Sequence, residues 1–127
     1  MLSQTAIYAM RALSYMAARQ NGRPIQSHTI ADEMQIPKNF LSKILHRLVR
    51  AGIIQSLRGT HGGFRLAKSP KKIKLREVID LFMNLDSYRQ CFLGLHECDG
   101  SCRAHHKWEP IRQGLEQLLD YTTIDEL

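Results

Sequence analysis

Apolar residues recur at intervals of three and four near the start of the chain: Leu2, Ala6, Ala9, Met10, Leu13, Met16 and Ala17. That period is helical, and it predicts a first helix capped by Ser3 or Thr5. Asn21-Gly22 should stop it, with Pro24 just beyond. A short second helix is expected after Ser27, an N-cap residue type, presenting Ile30, Ala31 and Met34 to a core. Ile36-Pro37 breaks the pattern and restarts it, because proline is tolerated in a first helical turn. The third helix should run from about Pro37 to Ala51. Its apolar stripe is Phe40, Leu41, Ile44, Leu45, Leu48 and Val49, and Asn39, Lys43, Arg47 and Arg50 share another face.

The pattern then changes period. Ile53 to Leu57 reads as a strand, Arg58-Gly59-Thr60-His61-Gly62-Gly63 as a glycine-rich turn, and Phe64-Arg65-Leu66 as the returning strand. The glycines suit close approach of the turn's backbone to a groove. Lys68 to Lys72 forms a basic loop. A helix from about Leu75 to Asn84 would show Val78, Ile79, Leu81 and Phe82. Residues 86–101 have no clean periodicity and read as a loop. A last helix starts near Ser101 or Cys102, with Trp108, Ile111, Leu115 and Leu118 in three-four-three register. That seam suits dimerisation; the alternative is a helix packed on its own domain.

A tight helix pair whose second member has a basic face, followed directly by a hairpin, predicts a winged helix-turn-helix. The fold class is therefore mainly α with a small β-hairpin. Residues 1–84 form the winged helix-turn-helix domain, and residues 85–127 a ligand-bearing loop and a long C-terminal dimerisation helix.

Charge sharpens this picture. Residues 1–76 hold 14 Lys/Arg against two acids, a net +12, whereas residues 77–127 hold four against ten, a net −6. Such a split points to a polyanion gripped on one side, although a solvated basic face would also produce it. No stretch is apolar enough to span a membrane, and the N-terminus lacks a signal-peptide layout, so a soluble cytoplasmic protein is expected. No nucleophile–base pair, phosphate-binding glycine motif or paired carboxylates suggest an enzyme.

The candidate chemistry lies in the second half. Cys91, Cys98 and Cys102 are spaced Cys-x6-Cys-x3-Cys and followed by His105 and His106. An odd number of cysteines in a cytosolic chain argues against a disulfide framework. Three thiolates in a glycine-bearing loop can converge on one iron–sulfur centre, with histidine an established fourth ligand. Cys102 and His105 lie one helical turn apart on one face. A zinc site with three cysteines and one histidine, or a metal-free thiol switch, remains open. His96 and His106 are reserve ligands, and His28 and His46 read as structural or surface residues.

These residues resemble the Rrf-type bacterial regulators, the group that includes the iron–sulfur biogenesis regulator and the nitric-oxide-sensing repressor. The resemblance is carried by Leu2-Ser3, Tyr8 to Leu13, Ile30-Ala31, Ile36-Pro37, Phe40-Leu41, Ile44-Leu45, Leu48 and Ala51 to Ile54. The wing segments Arg58-Gly59 and Gly62 to Ala67, the cysteine segment and Trp108 complete it over nearly the whole chain. It implies a homodimer crossing through the C-terminal helix, with recognition helices in major grooves and wings in minor grooves of a pseudo-palindromic double-stranded operator. It implies cluster ligands at Cys91, Cys98 and Cys102. The fourth ligand varies in the family; the acid used by some members falls here on Ile7, which cannot ligate, leaving His105. The short Cys98–Cys102 spacing departs from the usual pattern and bears on cluster type, with 2Fe–2S favoured over 4Fe–4S.

The expected function is transcription regulation, with operator binding controlled by the cluster through redox, iron or nitric oxide chemistry. A regulator of the same fold with a zinc or thiol switch is one alternative, and a protein-interaction module that binds no DNA is another. Phosphate contacts are expected from Lys38, Lys43, Arg47, Arg50, Lys71 and Lys72. Asn39, Ser42 and Lys43 should reach base edges, and Arg58 and His61 should enter the minor groove.

Overall fold

The computed structural model describes residues 2–19, 21–95 and 99–127. Helix α1 (Gln4–Ala18) begins at Ser3, whose hydroxyl accepts the Ala6 N–H at 3.1 Å. Ala6, Ala9, Ala12, Leu13 and Met16 are buried along one side. Alanines there let neighbours approach closely, and α1 contacts α2 (Ser27–Met34), α3 (Lys38–Arg50), α4 (Leu75–Ile79) and a C-terminal 3-10 turn (Ile124–Glu126). It is the central element of the core.

Helix α2 starts one residue away from the expected arrangement, with Gln26 at the N-cap and Ser27 already helical. The cause lies just upstream. Ile25 is bonded antiparallel to Phe64, N–H to carbonyl in both directions at 2.8 Å, so the chain stays extended through Gln26. The helix ends at Gln35, which adopts the left-handed region at φ 53°, and the Ile36 N–H closes back on the Ala31 carbonyl at 2.9 Å. Helix α3 follows after Pro37. Leu41, Ile44, Leu45 and Leu48 are buried as expected, whereas Phe40 is half exposed and lies against Tyr8, ring centroids 6.2 Å apart.

The hairpin pairs β1 (Ile54–Leu57) with β2 (Gly63–Leu66), with Ile54 opposite Leu66 and Leu57 opposite Gly63. Its glycines serve the hairpin itself. A Cβ on Gly62 would lie 2.3 Å from the Leu57 carbonyl oxygen, and one on Gly63, at φ 142°, 2.5 Å from the Ile25 carbonyl oxygen. Gly63→Ala should therefore push Ile25 off β2 and destabilise the protein by about 1–3 kcal/mol, measurable by urea unfolding.

Beyond a 3-10 turn at Pro70–Lys72, α4 is shorter than the periodicity predicts. The backbone winds on in turns, Phe82 and Met83 both donating to the Ile79 carbonyl; the Ser3 hydroxyl donates to the Phe82 carbonyl at 3.4 Å, and Asn84 caps a following 3-10 turn, Leu85–Arg89. Helix α5 (Arg103–Tyr121) is capped by Cys102. The predicted seam divides between two faces. Of its residues Leu115 turns toward α4, beside the fully packed Leu119 that lay outside the expected seam, while Ile111 and Leu118 are 63% and 51% exposed, as is nearby Tyr121 at 80%.

The chain then returns. Leu75 donates to the Thr122 carbonyl at 3.0 Å and Ile124 to the Ile73 carbonyl at 2.9 Å, which brings Ile124 into the core against α1. Leu85, Leu119 and Ile124 thus join one continuous core with α1 and α3. No described charged or polar residue is buried within it.

Candidate nucleic-acid interface and cysteine loop

The recognition candidate is a consequence of α3's two-sidedness. Four apolar side chains tie one face to the core, so the other must face solvent, and Lys38, Asn39, Ser42, Lys43, Arg47 and Arg50 are all exposed. No acid interrupts the helix. Its free N-terminal N–H groups and dipole add positive potential at the end carrying Lys38 and Asn39. Lys43, His46, Arg47 and Arg50 line an open groove against Leu81, and the Arg47 guanidinium lies 5.8 Å from the centre of the Phe82 ring.

At the wing tip Arg58 and His61 are exposed, and the turn is closed by the Gly62 N–H on the Gly59 carbonyl at 3.0 Å. Thr60, His61 and Gly62 share a depression with Gln26 and Thr29, and a second one joins Gln26, Ser27 and His28 to Gly59 and Gly62. The wing and the start of α2 therefore make one surface. Gln26, Ser27 and His28 fell outside the expected contact set. Their signal was a polar helix N-terminus, which is weak until the Ile25–Phe64 pairing brings it to the wing.

The second site surrounds the start of α5. Cys102 is half-buried, and its sulfur accepts the His105 N–H at 3.3 Å. The His105 ring packs over Gly100, 3.5 Å from where a Cβ would stand, and its Nε2 lies 3.9 Å from Glu109. Cys91 is half-buried at the other end of the loop, where its carbonyl accepts the Gly94 N–H at 2.8 Å. Cys98, like the reserve ligand His96, lies outside the described residues. Among the described residues no three His, Cys, Asp or Glu side chains converge closely enough to hold a metal ion. The structure thus places Cys102 and His105 on adjoining turns but does not bring Cys91 to them.

A carboxylate network connects this loop to the helices below. Glu116 on α5 accepts from Arg76 of α4 at 2.8 Å and from Arg89, two residues before Cys91, at 3.1 Å. Arg76 also bonds Asp120. Glu109 accepts Arg112 Nε at 2.9 Å, and that hydrogen bond holds its carboxyl down to about 2. Bonds from Arg89 and Arg76 lower Glu116 and Asp120 respectively. Groups depressed on folding add stability above their unfolded pKa and lose it as pH falls through the folded one. Asp120→Asn should therefore lower the Tm at neutral pH, and the gap from wild type should close as pH drops below the ordinary aspartate value of 3.8.

The family model for Rrf2, an iron-dependent transcriptional regulator, matches residues 2–127. The chain belongs to the Rrf2 family. An Aquifex aeolicus protein assigned as an HTH-type transcriptional regulator is 38% identical over 98% of this chain and 89% of its own length. The HTH-type transcriptional regulator NsrR of Bacillus licheniformis is 33% identical over 94% of this chain and 86% of its own. Among solved structures, the global cysteine regulator CymR of B. subtilis superposes with a TM-score of 0.86 at 22% identity, covering 98% of this chain and 93% of CymR. The mainly helical architecture with its small hairpin is thus that of a winged-helix regulator. As an Rrf2-family chain it is a transcriptional regulator by descent, and no described helix is long and apolar enough to cross a membrane.

Proposed function

We propose that this Rrf2-family chain is a cytoplasmic, homodimeric regulator whose grip on a double-stranded operator is set by an iron–sulfur cluster held in the 91–105 loop. The observation that carries the reading is the physical separation of two chemistries on one core. The solvent-facing side of α3 is basic and free of acids, and a cysteine–histidine cap forms the first turn of a different helix, α5. The family's iron dependence supports the choice of cofactor.

In this reading residues 1–84 contact DNA and residues 85–127 sense and dimerise. Lys38, Lys43, Arg47 and Arg50 neutralise phosphates, Asn39 and Ser42 meet base edges, and Arg58 and His61 follow the minor groove. Cys91, Cys98, Cys102 and His105 would hold the cluster. The donor set suits it: the sulfurs of Cys91 and Cys102 are not sealed in the core, and the His105 imidazole lies at the same helix start as Cys102. When bound, the cluster supplies a centre sensitive to oxidation, iron supply or nitric oxide. The chain's own contribution is Glu116, which accepts from both Arg89 beside Cys91 and Arg76 on α4. Reordering the loop changes that sharing, and α4 packs on α1, which packs on α3. The exposed Ile111, Leu118 and Tyr121 face gives the second copy an apolar surface to cover.

A metal-free thiol switch is the second reading, suggested by the shape shared with CymR, a global cysteine regulator. Anaerobic purification separates the two. The cluster reading expects coloured protein with iron and acid-labile sulfide, and promoter fragments held in preference to random duplex. Colourless, iron-free protein that still discriminates promoters through reversible thiol oxidation establishes the second reading instead.

A further inference from the structure

A cavity of about 240 Å³ opens at the base of the hairpin, remote in sequence and fold from the cysteine loop. It lies between the last turn of α1, the Gly22–Ile25 segment and the stretch that leaves β2. Its apolar lining comes from Met16, Ile25, Leu66 and Pro70. Its polar lining is cationic: Arg19, Arg23, Arg65 and Lys68 contribute, and no carboxylate does. Lys68 is paired with Glu77, but Arg19, Arg23 and Arg65 form no ion pair among the described residues.

Two of these guanidinium groups are held in place by neutral partners. The Arg65 Nε donates to Gln55 at 3.1 Å and its Nη1 to the Gly22 carbonyl at 3.4 Å. The Arg19 guanidinium lies over the Tyr15 ring, 3.7 Å from its centre. Positioned forks with unneutralised charge favour a carboxylate or phosphate, and prior ordering lowers the entropy cost of binding one. Phosphodiester contacts alone leave the apolar lining without a role. The cavity also lies at the opposite end of β2 from the wing tip, since Gly63 adjoins the tip and Leu66 the base.

We propose that this cavity is a binding site for a small organic anion, a carboxylate- or phosphate-type head on a short apolar body. The ligand would brace the end of α1 against the base of the wing, giving the wing an input independent of the cysteines.

The test is a titration of the full chain, followed by amide NMR shifts and thermal melting, with hexanoate, hexylamine and sulfate as probes. Hexanoate should produce saturable shifts at Gly22, Ile25, Leu66 and Ser69 and raise the Tm, as any ligand selective for the folded state does. Hexylamine should produce none, and sulfate should bind more weakly for want of an apolar body. Arg65→Gln and Arg19→Gln, both at exposed positions that leave the core intact, should each weaken hexanoate about tenfold, the loss of one charge-assisted hydrogen bond. The salt dependence of their binding to random duplex DNA should stay that of the wild type. Absent saturation, hexylamine shifts equal to those of hexanoate, sulfate binding as tight as hexanoate, or undiminished hexanoate affinity in both variants each overturns the proposal. So does a salt slope reduced by about one in either variant, which marks the cations as DNA phosphate contacts.

Discussion

Replacing Lys43, Arg47 and Arg50 together by alanine is expected to cut duplex affinity by at least about a hundredfold at moderate salt, and to flatten its salt dependence. Each phosphate contact releases counterions worth a slope of about 0.9, so three lost contacts should reduce the slope by about 2.7. The three side chains are exposed, and the buried stripe that holds α3 is untouched, so the loss should appear in binding rather than in folding. Arg47 is the exception to watch, because its guanidinium also lies over Phe82. The pair Lys43→Ala and Arg50→Ala omits it and should give a slope change of about 1.8. Filter binding or fluorescence anisotropy across a salt series reads both. A slope equal to the wild type in both variants places the DNA elsewhere.

Cys102→Ser should abolish the visible colour and iron content of anaerobically prepared protein while leaving thermal unfolding close to that of the cluster-free wild type. Serine is chosen because Cys102 has two roles. Its sulfur caps α5 by accepting the His105 N–H, and a serine hydroxyl is among the best residues for that task. The substitution therefore keeps the cap and removes the thiolate. Cys102→Ala removes both, and should cost about 1 kcal/mol more in stability than the serine variant. Retained colour in Cys102→Ser would remove this residue from the ligand set.

Most of the reading half was legible in the sequence because its periodicities are local and uninterrupted. Leu41, Ile44, Leu45 and Leu48 place α3 and its polar face without reference to anything distant. The hairpin is equally clear from two short apolar runs around Gly62-Gly63. What escaped depended on partners far along the chain. The bond that ties Phe82 to Ser3 spans 79 positions of the chain, and the beginning of α2 follows from Phe64. Leu119 and Ile124 looked like ordinary residues near a terminus, yet both are in the core, because Thr122 and Thr123 pair with the chain around Lys74. The expected seam on α5 mixed its two faces for the same reason: a three-four-three spacing selects a stripe, but only the position of α4 decides which residues of it turn inward. For the cysteine loop, spacing offered only candidate ligands, and the described geometry places Cys102 and His105 side by side.

The way α5 is fastened gives it a mechanical character. Its final turns are gripped by Leu119, by Arg76 and by the chain around Thr123, whereas its opening turns meet Gly100 through His105 and Phe92 through Trp108, the last two rings tilted with centroids 5.7 Å apart. A helix of 19 residues is about 28 Å long, so any change of direction at its far end would be magnified at its start. A tilt of only about 5° at that far end carries Cys102 through about 2.5 Å, roughly the size of a single bond to a metal. On the cluster reading, a bond-sized change at Cys102 would thus correspond to an angular shift of a few degrees at the root of α5.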